Sequence, residues 1–456
     1  MLQESIKDKR LKKRILLFND NSKRDLLGVR LLEEALKKQN FITKICNPDT
    51  WRVMVNNFRP HGFVASRADH SNPARDISKL AKVFIVPGEG AQLSKDTMLS
   101  VFMGRGYYKM DDVSFITRCY LWNENTYNWL MDTKLFDSSQ LTVTGNPRID
   151  IYRDKELMNA LKAKKDSDFT LGVGFSAKST SGYSGPPKWP QTYFDFHRET
   201  TFSITVEGGN HEDVSWRDHI ILRKMMGILK LYLENSTGKI ILRPSPFEDI
   251  NEFIFLKKRY PERVLITNEQ PLPEYLCEID AILTCWSTMG IEGLILDLPV
   301  ISLAGAIDQE KLFNHISFPR SGFDTFVPFY HQPESDEAII SLIEKIKNGE
   351  KIPNPMNEDE TQKLLDQMYN WNSKISACEL IAKDIQRVLE NSQPRSKKEW
   401  KKEFPIPYNI PMIAAPFANM MRNQFMYFKS GSYKSFYGFR RTNDPRIESL
   451  IKMMKK

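Results

Sequence analysis

Two periods govern the apolar positions of this chain. Short, mostly apolar runs recur at 14–19, 41–46, 61–65, 83–86, 141–144, 169–175, 239–242, 263–266, 281–284 and 298–303. Between them lie stretches of helical character, at 26–38, 51–58, 77–81, 126–130, 217–234, 250–260, 273–278 and 334–348. A short continuous apolar run suits a strand covered on both faces, and a spacing of three to four suits a helix with one buried stripe. Strand and helix therefore alternate along most of the chain, which predicts parallel sheets with helices packed on them.

A chain of 456 residues is too long for one compact core. The pattern divides it into a first domain over 1–150, a linker over 151–168 and a second domain over 169–357. Crossover helices follow over 358–392, broken near 370–373, and a distinct tail covers 393–456. Hydrophobic residues make up 41% and charged residues 27%, the balance of a soluble globular protein. No apolar run approaches the ~20 residues of a membrane span. The charged start, without an apolar signal core, sets the expectation of a cytoplasmic protein. Cys46, Cys119, Cys277, Cys285 and Cys378 are scattered without metal-ligand spacing and read as reduced, mostly buried thiols.

Charge changes the picture at one end only. The formal total is +8, but the stretch from Arg395 onward carries +10, which leaves −2 for the rest. A nearly neutral body argues against nucleic acid as a partner. The tail combines Pro405, Pro407, Pro411 and Pro416 with many aromatics and paired cations. It reads as a segment lying on the anionic cytoplasmic face of an inner membrane, packing across the body, or joining copies into a homo-oligomer.

Candidate chemistry gathers at the ends of predicted strands. After the run at 281–284, Ser287 and Thr288 precede a helix containing Glu292. This polar turn sits where open α/β sheets bind ligands, and unpaired amides at a helix start suit a phosphate. The plain reading is that Ser287 and Thr288 only cap the helix and that Glu292 is solvated. The run at 239–242 ends in Arg243, followed by a proline-bounded turn with Ser245 and Glu248. A guanidinium there can grip a phosphate in bidentate fashion. Two such sites in one α/β domain resemble a nucleotide pocket. In the first domain, Pro87-Gly88-Glu89-Gly90 ends a strand, and glycines flanking a carboxylate let it approach a ligand. Glu89 is thus a candidate general base or a plain turn residue. Arg24 and Asp25 lie near the first strand-to-helix turn, and the stretch 100–120 is aromatic and basic.

Three segments carry a resemblance. They are VTGNPRID at 143–150, preceded by LWNE at 121–124; ILRPSPFED at 241–249; and CWSTMGIEGLILDLPVISL at 285–303. The chain resembles bacterial capsule and lipopolysaccharide biosynthesis proteins of the GT-B glycosyltransferase fold, from about residue 14 to 390. Within that class it is similar to transferases that use CMP-Kdo or CMP-sialic acid. The resemblance implies an α/β, GT-B type fold with two facing Rossmann-like domains and a C-terminal basic aromatic tail. It implies an acceptor, a surface glycan or glycolipid, in the first domain. A nucleotide-sugar donor, CMP-linked by preference, would occupy the second, with no resident cofactor and no metal. Carried over by residue, Arg243, Ser245 and Glu248 meet the donor phosphate or base, Ser287 and Thr288 bind phosphate, and Glu292 meets ribose or nearby amides. Relatives commonly place histidine where this chain has Ser245, and serine neither carries charge nor acts as an acid near neutral pH.

Glycosyl transfer needs a base for the acceptor hydroxyl and positive or dipolar groups for the leaving nucleotide. Glu89 is the expected base, with Glu124 and Asp25 in reserve. Three other readings share these features: transfer of a polyol phosphate from a CDP-linked donor, a nucleotide-sugar epimerase or hydrolase, and a noncatalytic sugar or lipid-carrier binding protein.

Overall fold

The computed structural model describes residues 12–20, 22–48, 50–67, 73–88, 95, 113–165, 168–175, 211–244, 253–267, 269–285, 287–308, 325–393, 395–404 and 444–454. Glu89, Ser245, Glu248, most of the stretch 100–120 and the middle of the tail lie outside the described residues.

Six strands form one sheet: β1 (Arg14–Phe18), β2 (Ile42–Cys46), β3 (Gly62–Ala65), β4 (Lys82–Ile85), β5 (Arg118–Leu121) and β6 (Leu141–Val143), in the order β2-β1-β3-β4-β5-β6. Five form another: β7 (Thr170–Phe175), β8 (Lys239–Pro244), β9 (Val264–Ile266), β10 (Ala281–Thr284) and β11 (Val300–Ser302), in the order β11-β10-β7-β8-β9. Every pairing is parallel. The first-lobe connections include α1 (Ser22–Lys38), α2 (Trp51–Phe58), α3 (Ala74–Ser78) and α4 (Glu124–Asp132). Then come α5 (Lys155–Lys162), α6 (His211–Asn235), α7 (Ile254–Arg259), α8 (Leu272–Glu278), α9 (Thr288–Ile295) and α10 (Asp336–Lys347). The C-terminal helices are α11 (Glu358–Tyr369), α12 (Ala377–Leu389), α13 (Lys397–Glu403) and α14 (Pro445–Met454). Two parallel sheets, each flanked by helices, make the two-lobed GT-B type α/β architecture.

The strand runs read as continuous apolar stretches because helices cover both faces. Ile15, Leu16 and Leu17 are all fully buried although they alternate between faces. Each sheet also reverses direction once. In the first, the chain moves outward to β2 from β1 and then returns to β3, so the reversal lies between β1 and β3. In the second it lies between β7 and β10. Crevices at the carboxyl ends of such strands are where doubly wound sheets take ligands.

The C-terminal helices tie the lobes together. Helix α11 packs on α9 of the second lobe, and α12 packs on α1 of the first. Asn370, in the left-handed region at φ 52°, ends α11, and the Ser376 side chain caps α12, so the break falls where the sequence places it. Tyr120 donates to Asp384 at 2.9 Å and Arg118 pairs with the same carboxylate at 3.2 Å. The core that includes Ile15 and Leu36 thereby continues through Ile381 and Leu365 to Ile291.

Two segments differ from a plain sequence reading. Residues 151–168 read as a surface helix and linker, yet Ile149–Arg153 form a 3-10 helix with Ile151 and Tyr152 buried, and α5 buries Leu157, Met158 and Leu161. Three apolar positions suffice to dock α5 on α8, and the surrounding lysines hide them in the sequence. The described ends of the tail pack across the body. Trp400 is fully buried and stacks on Phe404, which meets Trp51 edge to face at 5.7 Å. Helix α14 rests on α1, with Glu448 3.0 Å from Arg30. The five cysteines are buried and none is joined in a disulfide. No helix among the described residues is long and apolar enough to cross a membrane.

One buried histidine makes the fold sensitive to acid. His61 is 7% exposed, and its Nδ1 accepts the Arg14 backbone N–H at 3.1 Å, a bond that needs neutral imidazole. Burial, with Arg14 and Lys13 nearby, lowers its pKa from 6.5 to about 4. The unfolded chain therefore takes up this proton first, and stability falls as pH drops from 6.5 towards 4. Thermal unfolding followed against pH should show a steeper acid loss for the native chain than for His61→Asn, whose Oδ1 can accept the same bond. Parallel profiles would refute this role.

Candidate functional site

The site begins with the turn after β6. Gly145 has φ +89°, and a β-carbon on it would stand 2.6 Å from the Tyr369 carbonyl oxygen, so glycine is required there twice over. The Asn146 side chain accepts the Arg148 backbone N–H at 2.9 Å, which closes the turn. Asp150 then accepts from the backbone N–H groups of Ala377 and Cys378 at 3.0 and 2.8 Å, fixing the turn to the start of α12. These contacts direct Arg148 and Tyr152 of the first lobe towards α9 of the second.

There they meet Glu292. This carboxylate is 1% exposed. Arg148 Nη2 donates to Oε1 at 2.9 Å and the Tyr152 hydroxyl donates to Oε2 at 2.7 Å. Burial, the largest single influence, lowers the tendency of Arg148 to hold its proton, but Glu292, Tyr369, Tyr152 and Asp25 together outweigh it and its pKa is raised. Burial, reinforced by Glu292, pushes the Tyr152 phenol well above its ordinary range, so it stays a donor. Tyr369 lies within electrostatic reach of both Arg148 and Glu292. Its hydroxyl is buried without a hydrogen-bond partner among the described residues.

Helix α9 begins at the carboxyl end of β10, beside the reversal point of the second sheet. Ser287 caps it, accepting the Met289 N–H at 3.2 Å, and Thr288 is its exposed first residue. Capping, expected from the sequence, is thus one role of this pair. Tyr330 lies beneath the helix start and donates to the Ser287 carbonyl at 3.1 Å. It reaches that place because residue 290 is glycine: a β-carbon there would be 2.6 Å from the Tyr330 hydroxyl oxygen.

Arg243 stands near the carboxyl end of β8, paired in register with Gly174 of β7. Its guanidinium lies over the Tyr275 ring, 5.2 Å from the centroid. Burial lowers its pKa, against the opposing influence of Tyr275, Tyr152 and Glu292. Its Nη1 is buried with no hydrogen-bond partner among the described residues. A buried guanidinium with an unsatisfied N–H is an energetic cost that an arriving anion relieves.

The first sheet has its own crevice at the β1/β3 reversal point. A cavity of ≈ 50 Å³ is lined there by Arg24, Asp25, Ser66, Gly88, Asn146 and Arg148, among others. By that measure it holds on the order of three or four waters. Arg24 grips Asp25 through Nε at 2.6 Å and Nη2 at 2.9 Å. The Ser66 hydroxyl is buried without a partner among the described residues. Glu124 instead occupies the exposed first turn of α4, after β5.

The structure thus brings Arg243, Ser287, Thr288 and Glu292 to one end of the second sheet and sets Asp25 at the facing end of the first. Arg148, Tyr152, Tyr369, Tyr330 and Ser66 were not singled out by sequence reasoning. Only Arg148 left a signal, in the Gly-Asn-Pro-Arg turn, which read as a boundary. Among the described residues, no cluster of three or more His, Cys, Asp or Glu can hold a metal.

No protein-family model and no curated protein matches the chain. Solved structures do. The wall teichoic acid polymerase TagF aligns at a TM-score of 0.51 with 12% identity, covering 83% of this chain and 89% of that one. A variant of TagF soaked with CDPG aligns at 0.53 with 12% identity and the same coverage. The UDP-GlcNAc 2-epimerase of Methanocaldococcus jannaschii, in complex with UDP-GlcNAc and UDP, aligns at 0.46 with 14% identity, covering 83% of this chain and 100% of that one. The likeness to TagF is one of fold, the two-lobed GT-B-like arrangement.

The interlobe ion pair generates a prediction. Removing one partner strands a buried charge, whereas removing both does not. Arg148→Met should destabilise the chain by about 3 kcal/mol, near the lower end for breaking a buried pair because Arg148 keeps some solvent access. Arg148→Met combined with Glu292→Leu should cost clearly less than the sum of the single changes. Urea unfolding of the four proteins checks this, and strict additivity would show that the pair is not coupled.

Proposed function

We propose that the chain is a group transferase that binds a cytidine-nucleotide donor on its second lobe and an acceptor hydroxyl on its first. Transfer of a polyol phosphate from a CDP-linked donor, in building a bacterial surface polymer, fits better than transfer of a nonulosonic acid or Kdo-like sugar from a CMP-linked one. The observation that carries the proposal is Arg243 Nη1 near the carboxyl end of β8, buried with no hydrogen-bond partner among the described residues, on a sheet whose strand β10, two places away, leads into the capped start of α9. A guanidinium and a helix start together suit a phosphate-bearing ligand. The choice of CDP is supported by the fold likeness to TagF, of which one structure was soaked with CDPG. It also agrees with Ser245 in place of the histidine common in CMP-sugar transferases.

In this reading the acceptor hydroxyl enters the cavity of the first lobe. It attacks the donor phosphorus distal to the cytidine as its proton passes to a carboxylate. The pyrophosphate P–O bond breaks, and CMP leaves with the bonding electrons. Arg243 and the amides at Ser287 and Thr288 stabilise the charge gathering on that leaving group. Asp25 is the described carboxylate in the cavity, held in place by Arg24. Glu89 follows directly after Gly88, which borders the same cavity, and remains the other choice for the base.

Calorimetry with CMP, CDP, UDP and GDP tests the donor class. CDP should bind most tightly, and Arg243→Ala should weaken it by about tenfold or more, the loss of one charge-assisted hydrogen bond. Failure of CDP to bind the native chain would refute the reading, and preference for CMP would return it to a CMP-linked sugar. Asp25→Asn should leave CDP affinity within about twofold while lowering turnover by roughly 10²–10⁴, the usual range for loss of a general base. Unchanged turnover would exclude Asp25 and leave Glu89.

A further inference from the structure

A carboxylate that serves only a ligand would be expected to keep at least one oxygen turned towards the crevice. Glu292 does not: both oxygens are held by first-lobe side chains, Arg148 at 2.9 Å and Tyr152 at 2.7 Å. The helix that carries it has eight residues, about two turns. A helix so short has no stable form of its own, and its orientation comes from tertiary contacts. Its buried side, with Ile291 and Leu294, is apolar and non-directional. Its directional contacts include the Tyr330 hydrogen bond at its start, the Glu292 pair one turn further on and, at its C-cap, the Lys162 ammonium donating to the Leu296 carbonyl at 3.1 Å.

We propose that Arg148 and Tyr152 are positioning residues that act through Glu292 to hold α9 so that its first turn faces Arg243, giving the first lobe control over nucleotide binding by the second. The consequence for binding rests on the reading above, in which phosphate sits between Arg243 and α9. With the lobes together, Glu292 is satisfied and the phosphate-facing turn is set. With the lobes apart, Glu292 loses both partners, and α9 is released from the side opposite its cap. Donor affinity then depends on closure even though neither Arg148 nor Tyr152 touches the nucleotide.

Hydrogen exchange and CDP calorimetry on the full chain test this together. Tyr152→Phe deletes only a hydroxyl and keeps the ring, so it remains informative where Arg148→Ala fails to fold; near-UV circular dichroism checks folding. In Tyr152→Phe the amides of 288–295 should exchange at least about tenfold faster, with those of β10 unchanged, the local opening expected when one strong hydrogen bond is lost. CDP affinity should fall about three- to tenfold. Arg148→Ala should exceed both effects, and Arg148→Lys should restore part of the affinity. A lowered melting temperature with unchanged CDP affinity and unchanged α9 exchange would make the pair plain structural glue and overturn the proposal. Arg243→Ala separates the two ideas: if it leaves CDP binding intact, the pocket reading fails, and the exchange of α9 alone decides whether the first lobe holds that helix.

Discussion

A carboxylate at 1% exposure cannot stand without donors, and Glu292 finds both of its donors in the other lobe. That requirement organises much of the structure around it. Arg148 must project from a turn that needs glycine at 145, and the turn must be anchored by Asp150 at the start of α12. Helix α12 must in turn lie on α1, while α11 presses on α9 itself. The crossover helices, the turn after β6 and helix α9 therefore form one mechanical unit, although they come from three separate parts of the sequence.

The two crevices follow from topology more than from any special residue. Each parallel sheet has one reversal point, where the chain leaves the neighbouring strands in opposite directions. What differs is the chemistry at the rim. The second lobe offers Arg243 Nη1 and a helix start, and the first a small cavity with a clamped carboxylate and the Ser66 hydroxyl; neither Nη1 nor that hydroxyl has a hydrogen-bond partner among the described residues.

Most of the fold was legible because strands buried on both faces produce runs that no other element produces, as Ile15 to Leu17 and Ala281 to Thr284 show. The positions of Arg243, Ser287 and Thr288 were legible for the same reason: once a strand is known, its end is known. The partners of Glu292 were not. Arg148 lies 144 residues away and Tyr152 lies 140 away, and nothing local in either segment specifies which buried acid it will meet. Helix α5 was misread as surface because its three docking residues sit among lysines, whose long stems are compatible with either face.

This division explains why the position of the carboxylate was legible in the sequence and its surroundings were not. Local sequence places Glu292 one turn into a helix at a ligand-binding strand end, which is where a ligand-facing acid belongs. Burial decides otherwise for its oxygens. Once the lobes meet, leaving one of them towards a crevice would strand the half-buried Arg148 or the buried Tyr152 hydroxyl. The cost of an unpaired buried charge exceeds that of a ligand contact forgone, about 3–5 kcal/mol against about 1.5–3 for one charged hydrogen bond. The acid therefore serves the interface first, and it is through the interface that it bears on the site.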